Sequence, residues 1–373
     1  MLDRHNRNSA FVNLTRLSSY FSIHDCSAYL VGGCLRDSLL NRPIHDLDLT
    51  TSESPHRFGP ELAKALGGTY VNLNSQPDIG RIIIKAIFDL EESPLNYDES
   101  TPPLTIDLSE FSGEITDNLI TRDFTVDSMA LNILDCQNPE WRGFILDPLN
   151  GLQDLFSKKI RSTSHSIFIA DPGRLLRAVR LAAQLGFVIE PDTAMNIKTH
   201  AALIKRVPGE RIRDEFLNIM AGDGAKAQLD VLDRLGILCQ VIPELAMTKG
   251  VTQPKAHYWN VWEHLLHTVE TAELITKGHQ NSPIYSLAPW TPESETYFGQ
   301  IVSDGHTRRT ILKLTALLHD IAKPQTKATD DSGRTKFLGH SKLGAEMATA
   351  RLTELRLSSN GISMVSKMIE AHL

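Results

Sequence analysis

Short hydrophobic runs separated by polar breaks make up the first 150 residues of the chain. SAYLVGG predicts a strand that enters a tight turn, CLRDSLLN predicts one short helix, and HDLDLTT alternates as a strand does. A helix is expected around PELAKAL, and further strands at RIIIKAIFDL and at LTIDLSEF, which follows two prolines. VDSMALNIL is apolar at nearly every position and fits a buried strand or a buried helix.

From about residue 152 the apolar positions repeat at helical spacing instead. Four segments follow this pattern with short breaks between them: PGRLLRAVRLAAQLGF, TAMNIKTHAALIKRV, GERIRDEFLNIM and AKAQLDVLDRLGIL. In the first segment Leu175, Val179 and Ala182 recur at helical spacing, and Gly186 stands where a C-cap glycine belongs. The chain is therefore expected to change here from mixed strands and helices to helices alone.

A third region, helical and rich in histidine, begins near His257. A stretch rich in Ser, Pro and Thr, from about Gly278 to Gly305, interrupts it and is interpreted as a loop or an insertion. The pattern thus divides the chain into residues 1–150, 151–250 and 251–373.

The composition is typical of a globular protein, with 41% hydrophobic and 22% charged residues. No apolar run approaches the ~20 residues that span a bilayer, and the N-terminus lacks the apolar core and cleavage site of a secretory signal. The four cysteines are far apart and form no Cys-x-x-Cys pair, which argues against a disulfide framework and a thiolate zinc site. These features exclude a membrane protein and predict a cytoplasmic one.

The formal net charge of -7 does not by itself indicate a nucleic-acid partner. Between Lys158 and Arg213, however, basic residues clearly outnumber acidic ones. Such a local positive surface can follow a phosphate backbone in a chain that is acidic overall. Solvated helix faces remain the alternative explanation.

Two glycines and two aspartates carry the first candidate chemistry. Gly32 and Gly33 end a predicted strand, where backbone amides can approach an anion without an intervening Cβ. Arg36 follows on the first turn of the next helix and is expected to face a triphosphate. Asp46 and Asp48 share one face of a strand, and such carboxylates repel unless cations such as Mg²⁺ lie between them. A solvated strand face or a turn is the alternative for the aspartate pair alone.

Together these residues resemble the signature Gly-Gly-x-(Val/Leu)-Arg-Asp followed by Asp-x-Asp of class II CCA-adding enzymes and bacterial poly(A) polymerases. This family belongs to the polymerase-β-like superfamily. The resemblance implies a nucleotidyltransferase head built from a mixed sheet with helices. By the same resemblance Gly32, Gly33 and Arg36 hold the triphosphate, and Asp46 and Asp48 hold two metal ions.

ITRDFTVDSMALNI is similar to the family's second motif, Arg-Arg-Asp-Phe-Thr-(Ile/Val)-Asn-Ala. Arg122 and Asp123 match, which implies contacts with the nucleotide, and a carboxylate at Asp123 suits a 2′-hydroxyl donor. Thr121 replaces the first arginine and Asp127 the asparagine, so one positive charge near the nucleotide is missing. Asp107, in the strand-like TIDLS, is a candidate third carboxylate.

ADPGRLLRAVRLAAQLGF is similar to the family's Glu-Asp-x-x-Arg helix, with alanine in place of the glutamate. Asp171 and Arg174 are three residues apart and are expected to be neighbours on one helix face. The aspartate would accept from the exocyclic amine of C or A and the arginine would donate to the adjacent ring atom, so U and G are rejected. Arg177 and Arg180 complete the expected nucleotide-binding set. An aspartate before proline is also a good N-cap, which is the structural alternative.

In the C-terminal region His319 and Asp320 end an apolar helix and offer one nitrogen and one oxygen ligand, which suit Mn, Ni, Fe or Mg better than structural zinc. With histidines upstream and downstream, the region resembles the HD phosphohydrolase domain that is fused to some CCA-adding enzymes. The resemblance assigns His264, His319 and Asp320 as metal ligands, with His267 as the alternative to His264.

Two further histidines, His340 and His372, are candidates for phosphate contacts or for a second metal. HD domains normally carry one more aspartate downstream, and this chain stops directly after His372. The chain is therefore expected to end within the HD domain.

The sequence thus predicts an α+β protein with a catalytic head (1–150), an all-α neck and body that selects the base and binds RNA (151–250), and an α-helical HD domain (251–373). GERIRDEFLNIM, with Arg211 and Glu215, is loosely similar to the family's later neck motif.

The expected function is template-independent addition of CMP to the tRNA 3′ end. Whether AMP is added as well is left open. The expected substrates are CTP and ATP, and the expected metal is Mg²⁺. The HD region is expected to remove phosphate or open a 2′,3′-cyclic phosphate at RNA ends, with a divalent transition metal or Mg²⁺. Two alternatives are a poly(A) polymerase and an HD phosphohydrolase whose head only binds RNA.

The stretch between Asp107 and Asp117 is short and has no tyrosine- or arginine-rich insertion. Family members that add the terminal A usually carry a longer loop at this place. The resemblance therefore favours an enzyme that adds C residues only.

Overall fold

A computed structural model of the chain describes residues 9–44, 46–75, 78–84, 103–254, 258–277 and 290–372. The chain divides into two compact units, Met1–Ser164 and His165–Leu373. The first unit contains the predicted head together with residues 151–164 of the predicted neck, and the second contains the rest of both predicted helical regions. Their separation at residues 250 and 251 stays a prediction.

Six strands form the mixed sheet of the first unit. They are β1 (Ala28–Val31), β2 (Asp46–Thr51), β3 (Thr69–Ser75), β4 (Asp78–Ile84), β5 (Leu104–Glu110) and β6 (Ala130–Asn132). Their order across the sheet is β3-β4-β5-β2-β1-β6. Only β2 and β5 are parallel, and the other neighbours are antiparallel. The predicted mixed sheet is therefore confirmed.

Apolar residues on alternate strand positions build the core of this sheet. Leu47 and Leu49 of β2 and Ile82, Ile106 and Leu108 of the neighbouring strands are almost completely buried. The helices of the first unit are α1 (Ser9–Phe21), α2 (Gly32–Leu39), α3 (Pro55–Ala65), α4 (Ile115–Ile120) and α5 (Gly151–Phe156). A two-residue strand, β7 (Lys159–Ile160), lies near its end.

The apolar segment VDSMALNIL forms neither one strand nor one helix. Thr125–Asp127 is a 3-10 turn, β6 follows, and Ile133–Asp135 is a second 3-10 turn. The Ser128 hydroxyl donates to the Phe124 carbonyl at 2.8 Å and so takes up a backbone acceptor within the segment. A further 3-10 turn covers Trp141–Phe144.

The second unit is helical, as the spacing predicts. Its helices are α6 (Ile167–Ala170), α7 (Arg174–Leu185), α8 (Pro191–His200), α9 (Gly209–Ala221), α10 (Ala225–Arg234), α11 (Leu238–Val241), α12 (Val261–Thr276), α13 (Pro292–Gly299), α14 (Arg308–Leu318), α15 (Lys323–Thr326), α16 (His340–Glu354) and α17 (Ser359–Glu370). Two 3-10 turns cover Ala201–Arg206 and Pro243–Thr248.

Short strands complete the second unit: β8 (Val188–Ile189), the antiparallel pair β9 (Ile301–Ser303) and β10 (His306–Thr307), and the antiparallel pair β11 (Ala328–Thr329) and β12 (Thr335–Lys336). Gly186 ends α7 with φ +68°, the left-handed conformation of a C-cap glycine. This cap is the one that the sequence predicts.

Part of the predicted loop between Gly278 and Gly305 is ordered secondary structure. Residues 278–289 lie outside the described residues, but α13, β9 and the turn before β10 occupy the rest. Thr291 and Ser294 form a capping box around Pro292 at the first helical turn. The expectation of a loop was wrong there, because polar capping residues have the same composition as a loop.

No helix within the described ranges is long and apolar enough to cross a bilayer.

Candidate active sites

Three carboxylates meet on one face of the head sheet. Asp46 and Asp48 point to the same side of β2, opposite the buried Leu47 and Leu49. The parallel register pairs Asp48 with Asp107 on β5. The structure therefore brings the predicted aspartate pair and the candidate third carboxylate together.

This group of carboxylates is electrostatically strained. Burial raises the pKa of Asp48 to about 6, with further increases from Asp107, Asp127 and Asp46 and a decrease from Arg122. Arg81 on β4 pairs with Asp107 through two bonds, Nε to Oδ1 at 2.6 Å and Nη2 to Oδ2 at 2.8 Å. A divalent cation fits this face, because it would relieve the remaining repulsion around Asp48.

Gly32 allows the backbone to approach this face. Its φ is +67°, and a Cβ there would lie 3.1 Å from Asp48 Oδ2 and 3.2 Å from Arg122 Nη1. At Gly33 a Cβ would meet only the guanidinium tip of Arg36, at 3.4 Å. The first glycine is therefore required for both its conformation and its space, and the second is under less constraint.

Arg122 lies deep in the same site. Burial lowers its pKa, and Asp48, Asp127 and Asp123 partly restore it. Its Nε is buried and has no hydrogen-bond partner among the described residues. Asp123 accepts from the Phe124 N–H at 3.0 Å, and the ring of Phe124 is fully buried, which anchors the motif.

The sequence predicts that Arg36 faces a triphosphate. In the structure its guanidinium is instead paired with two aspartates. Its Nη1 donates to Asp127 Oδ1 at 2.7 Å, and its Nε and Nη2 donate to the two oxygens of Asp37 at 3.1 and 2.9 Å. Burial alone would lower its pKa, but Asp127 and Asp37 raise it. The aspartate that replaces the family's asparagine at residue 127 is thus the partner that holds this guanidinium.

In the second unit Asp171 lies before α7, not on it. It has an extended conformation, and its Oδ1 accepts from the Gly173 N–H at 3.0 Å. Its Oδ2 accepts from Arg211 Nη2 on α9 at 2.9 Å. The expected helical i,i+3 geometry with Arg174 is wrong, because the turn Pro172-Gly173 separates the aspartate from the helix.

Hydrogen bonds from Arg211 and the Gly173 amide hold the pKa of Asp171 below its usual value, although burial alone would raise it. Arg174 contributes a smaller electrostatic decrease, so the two predicted partners still lie near each other. Arg174, Arg177 and Arg180 all lie on α7, and Arg180 Nε pairs with Glu215 Oε2 of α9 at 2.5 Å. Helix α9 therefore supplies partners to both ends of the predicted base-selecting set.

Four histidines surround one carboxylate in the C-terminal region. Asp320 Oδ2 lies 3.3 Å from His264 Nε2 and 3.1 Å from His319 Nε2. Asp320 Oδ1 lies 3.2 Å from His340 Nε2 and 3.6 Å from His372 Nε2. Two groups of potential metal ligands result, and Asp320 belongs to both.

Backbone contacts orient three of these imidazoles. Nδ1 lies 2.9 Å from the Ala316 carbonyl in His319, 2.6 Å from the Phe337 carbonyl in His340, and 2.5 Å from the Ile369 carbonyl in His372. A proton on each Nδ1 leaves the Nε2 lone pair directed at the carboxylate. When Nε2 carries no proton, the imidazole nitrogen and the carboxylate oxygen face each other as two acceptors, and a divalent metal fits between them.

Asp320 itself is 1% exposed. Hydrogen bonds from His264, His319 and His372 hold its pKa far below the usual range, although burial alone would raise it. Lys323 forms an ion pair with this carboxylate, with Nζ 2.6 Å from Asp320 Oδ2. The pKa of His340 is lowered by burial, and that of His372 is raised by its bond to Asp320.

His267, the predicted alternative to His264, lies outside this cluster. Its Nδ1 contacts Glu270 at 3.1 Å and Lys226 at 3.3 Å, and its ring stacks on Trp259. Of the two histidines, the structure brings His264 to Asp320.

Two residues of these sites, Arg81 and Lys323, were missed by the reasoning from sequence. Arg81 gives no local signal, because its partner is distant in the sequence, and Arg211 was identified in the neck motif but not as the partner of Asp171. Lys323 could have been found, since it lies three residues after Asp320 at helical spacing in HDIAKP.

Comparison with known families finds three matches in the order that the sequence predicts. Residues 28–161 match the poly A polymerase head domain, residues 186–248 match the probable RNA and SrmB- binding site of polymerase A, and residues 261–373 match the HD domain.

Individual proteins give the same result. The chain is 30% identical over 352 residues to an A-adding tRNA nucleotidyltransferase of Deinococcus radiodurans, covering 93% of this chain and 68% of the relative. It is 28% identical to a CC-adding tRNA nucleotidyltransferase of Thermus thermophilus, with the same coverage of both chains. A solved structure of a tRNA-processing enzyme in apo form I superposes with a TM-score of 0.66 at 20% identity, covering 98% of this chain and 78% of that one.

The fold, the order of the three matched regions and the extent of the match to these relatives all indicate the same family. The chain is a nucleotidyltransferase that belongs to the family of class II CCA-adding enzymes, in the group that carries a C-terminal HD domain.

Proposed function

We propose that the protein extends the 3′ end of tRNA by transferring CMP from CTP, with AMP from ATP as the product still to be tested. In this transfer the ribose 3′-oxygen bonds to the α-phosphorus, the bond to the β-phosphate breaks, the hydroxyl proton is lost and pyrophosphate leaves. The observation that carries the proposal is the carboxylate face of Asp46, Asp48 and Asp107 beside Gly32. Two similar proteins support the proposal, since one is named an A-adding and the other a CC-adding tRNA nucleotidyltransferase.

Nucleotidyltransferase and HD families depend on metals. For the head we propose Mg²⁺ held by Asp46 and Asp48, since carboxylate oxygens are its preferred protein ligands. When bound, Mg²⁺ would supply positive charge for the attacking oxygen and for the leaving pyrophosphate. Asp107, the candidate third carboxylate, is paired with Arg81, which offsets its negative charge beside Asp48.

The nucleotide would be held by groups around the same face. The backbone at Gly32 and Gly33 approaches the phosphates, and the buried Arg122 provides positive charge next to Asp48. Asp123 is proposed to accept from the ribose 2′-hydroxyl and so to favour ribonucleotides. Arg36 would act from its ion pair with Asp127, which fixes its position instead of leaving it flexible.

Base selection is proposed to come from Asp171 and Arg174, with Arg177 and Arg180 behind them on α7. A carboxylate oxygen has two lone pairs, so Asp171 can accept from a base amine while it keeps its bond to Arg211. Arg211 would then orient the acceptor for C or A and exclude the carbonyl of U or G at that position.

The product is proposed to be CC. Only a short connection, Phe111 to Glu114, joins β5 to α4, and α4 leads directly to the second motif. It leaves no room for the longer loop that accompanies addition of the terminal A.

Nucleotide incorporation into tRNA that ends at the discriminator base, with each NTP alone and in pairs, tests these proposals. We expect CTP to extend the primer by two residues and ATP to add little. Efficient completion to CCA would contradict the CC product. Preference for ATP on varied RNA 3′ ends would favour a poly(A) polymerase, and no incorporation would favour an HD phosphohydrolase with an RNA-binding head.

For the C-terminal cluster we propose hydrolysis of phosphate esters at RNA 3′ ends. His264, His319 and Asp320 would hold a divalent transition metal or Mg²⁺, and His340 and His372 would hold a second ion or the phosphate. The two ligand groups that share Asp320 favour this second activity. If alanine at both His319 and Asp320 left metal-dependent release of phosphate unchanged, the assignment would be wrong.

We propose a cytoplasmic location, supported by the four free cysteines in the described structure.

A further inference from the structure

An exposed aromatic pair stands at the start of the helix that carries His264. Tyr258 is 92% exposed and Trp259 is 38% exposed, although such rings are usually the ones that a folded chain buries. Their rings are perpendicular, with centroids 5.7 Å apart. They directly precede Asn260, whose side chain caps α12 by accepting from the Glu263 N–H at 3.0 Å.

The indole of Trp259 is held in a fixed plane. It stacks on the ring of His267 with a centroid distance of 4.0 Å and an interplanar angle of 16°. His267 is itself held by contacts with Lys226 and Glu270. A ring that is oriented in advance loses less entropy when a second ring stacks on it.

Two side chains connect the aromatic pair to the metal-ligand cluster. Gln253 Nε2 donates to the Trp259 carbonyl at 3.1 Å, and Gln253 Oε1 accepts from Lys323 Nζ at 2.7 Å. Lys323 also forms an ion pair with Asp320, with Nζ 2.6 Å from Oδ2. Two hydrogen bonds of Gln253 and this ion pair therefore link the backbone of the aromatic pair to the carboxylate at the centre of the cluster.

Two histidines of α12 relate the aromatic pair to the cluster. His264 and His267 are three residues apart, so their Cβ atoms lie about 5–6 Å from each other on one face. One of these histidines lies in the cluster and the other stacks on Trp259. The indole and the cluster are therefore connected through neighbouring side chains on one face of α12.

Three lysines border this segment, and two of them are paired with carboxylates. Lys226 contacts His267 and pairs with Glu270 at 3.2 Å, Lys323 bonds to Gln253 and pairs with Asp320, and Lys327 donates to the Thr252 hydroxyl at 2.9 Å. These lysines come from elements on both sides of the segment. A flat aromatic surface with lysines beside it is the combination that binds single-stranded nucleic acid.

We propose that Tyr258 and Trp259 form a base-stacking platform for the nucleotide whose phosphate is hydrolysed at the C-terminal cluster. The proposal rests on the hydrolase activity proposed above and narrows its substrate to nucleoside phosphates and RNA 3′ ends. Since every base has an aromatic face, the platform accepts all four bases. On a 2′,3′-cyclic phosphate, a water oxygen bonds to phosphorus, one P–O bond of the ring breaks, and the released ribose oxygen takes up a proton.

The experiment compares a nucleoside 2′,3′-cyclic phosphate with glycerol 2-phosphate, which has no base, on the full metal-loaded chain. For Tyr258→Ala with Trp259→Ala we expect KM for the cyclic nucleotide to rise about tenfold or more, with kcat within about twofold. Hydrolysis of glycerol 2-phosphate should stay unchanged. Trp259→Phe should restore much of the affinity, because it keeps a stacking ring.

Tyr297→Ala is the matched control, since Tyr297 is 54% exposed in the same unit and its ring packs on the Arg308 guanidinium. An equal loss on both substrates would assign the pair a structural role and overturn the proposal, as would no loss on either. If the wild-type chain hydrolysed neither substrate, the hydrolase proposal would fail on its own. Calorimetric binding of the cyclic nucleotide would then decide the platform, and equal affinity of wild type and double variant would refute it.

Discussion

The head and the C-terminal cluster both bring together groups that can bind a metal. In the two sites, however, the pKa of the central aspartate is shifted in opposite directions. In the head, carboxylates of one sign meet on a sheet face, and burial with the neighbouring acids raises the pKa of Asp48 to about 6. In the cluster, one buried aspartate is surrounded by four imidazoles and a lysine, which hold its pKa far below the usual range.

The difference concerns what each site lacks before a metal arrives. In the head, burial and the neighbouring acids oppose the ionisation of Asp48, a cost that a bound cation would remove. In the cluster, the Lys323 ammonium already lies beside Asp320, so this carboxylate stabilises the fold without a metal. A cation that arrives with a nucleotide suits the first site, and a resident metal suits the second.

The largest expected effect is a loss of nucleotide incorporation that leaves phosphate release at the cluster unchanged. Asp46→Ala should lower nucleotide incorporation by about 10³-fold or more, because charge stabilisation by a metal contributes several kcal/mol to the transition state. RNA binding and phosphate release at the cluster should be unchanged. His319→Ala should have the reverse effect, so each variant is the control of the other. Retained incorporation in Asp46→Ala would point to a different catalytic pair.

Replacing an aspartate by its neutral isostere should change stability with opposite signs in the two sites. In chelator at pH 7.5, Asp320→Asn should lower the free energy of unfolding by about 3–5 kcal/mol, because it leaves the buried Lys323 ammonium without its counter-charge. Asp48→Asn should raise it by about 1–3 kcal/mol, because it removes a carboxylate whose ionisation the fold opposes. Denaturant unfolding measures both.

The pH dependence of these two effects also differs in sign. The folded-state pKa of Asp48 is raised from 3.8 to about 6, so its cost is absent below pH 3.8 and complete above pH 6. The gain from Asp48→Asn should therefore disappear as the pH falls through that window. The pKa of Asp320 is lowered, so its stabilisation is present above its unfolded pKa and is lost as the pH falls. Equal signs for the two variants at pH 7.5 would contradict the comparison.

A smaller effect tests the backbone of the head site. Gly32→Ala should destabilise the fold by about 1–2 kcal/mol, since its φ of +67° is unfavourable for alanine. The added Cβ would also crowd Asp48 and Arg122, so KM for CTP should rise. Gly33→Ala is the control with no positive φ. Similar kinetics and stability for both variants would show that the first glycine is not specially required.

The smallest effect on stability is expected in the neck. Arg211→Ala breaks an exposed pair with Asp171 and should cost less than about 1 kcal/mol. It should nevertheless lower the preference for CMP over UMP, measured as the ratio of incorporation from CTP and UTP. Arg213→Ala, two residues along the same helix and paired with Asp304, is the control for charge. An unchanged ratio would remove Arg211 from base selection.

Local patterns were enough to predict the elements that position both sites. The alternation of HDLDLTT determines that Asp46 and Asp48 share a face, and the helical spacing of LTALLHDIAKP places His319 and Asp320 at a helix end. Local patterns failed where the same residue types are common in two kinds of structure, such as a helix and its cap or a loop and a capped helix. Asp171 was expected on a helix, but its side chain caps the following turn, and the polar stretch after Thr291 was expected as a loop.

The sequence by itself determined which ligand types the two sites offer, because strand and helix periodicity and ligand type are local properties. Only the tertiary structure decided which charges meet: Arg81 with Asp107, Arg36 with Asp127, Arg211 with Asp171, and His264 instead of His267 with Asp320. Each of these pairs joins residues from different elements. Their distances depend on sheet register and helix packing, which no spacing along the chain encodes.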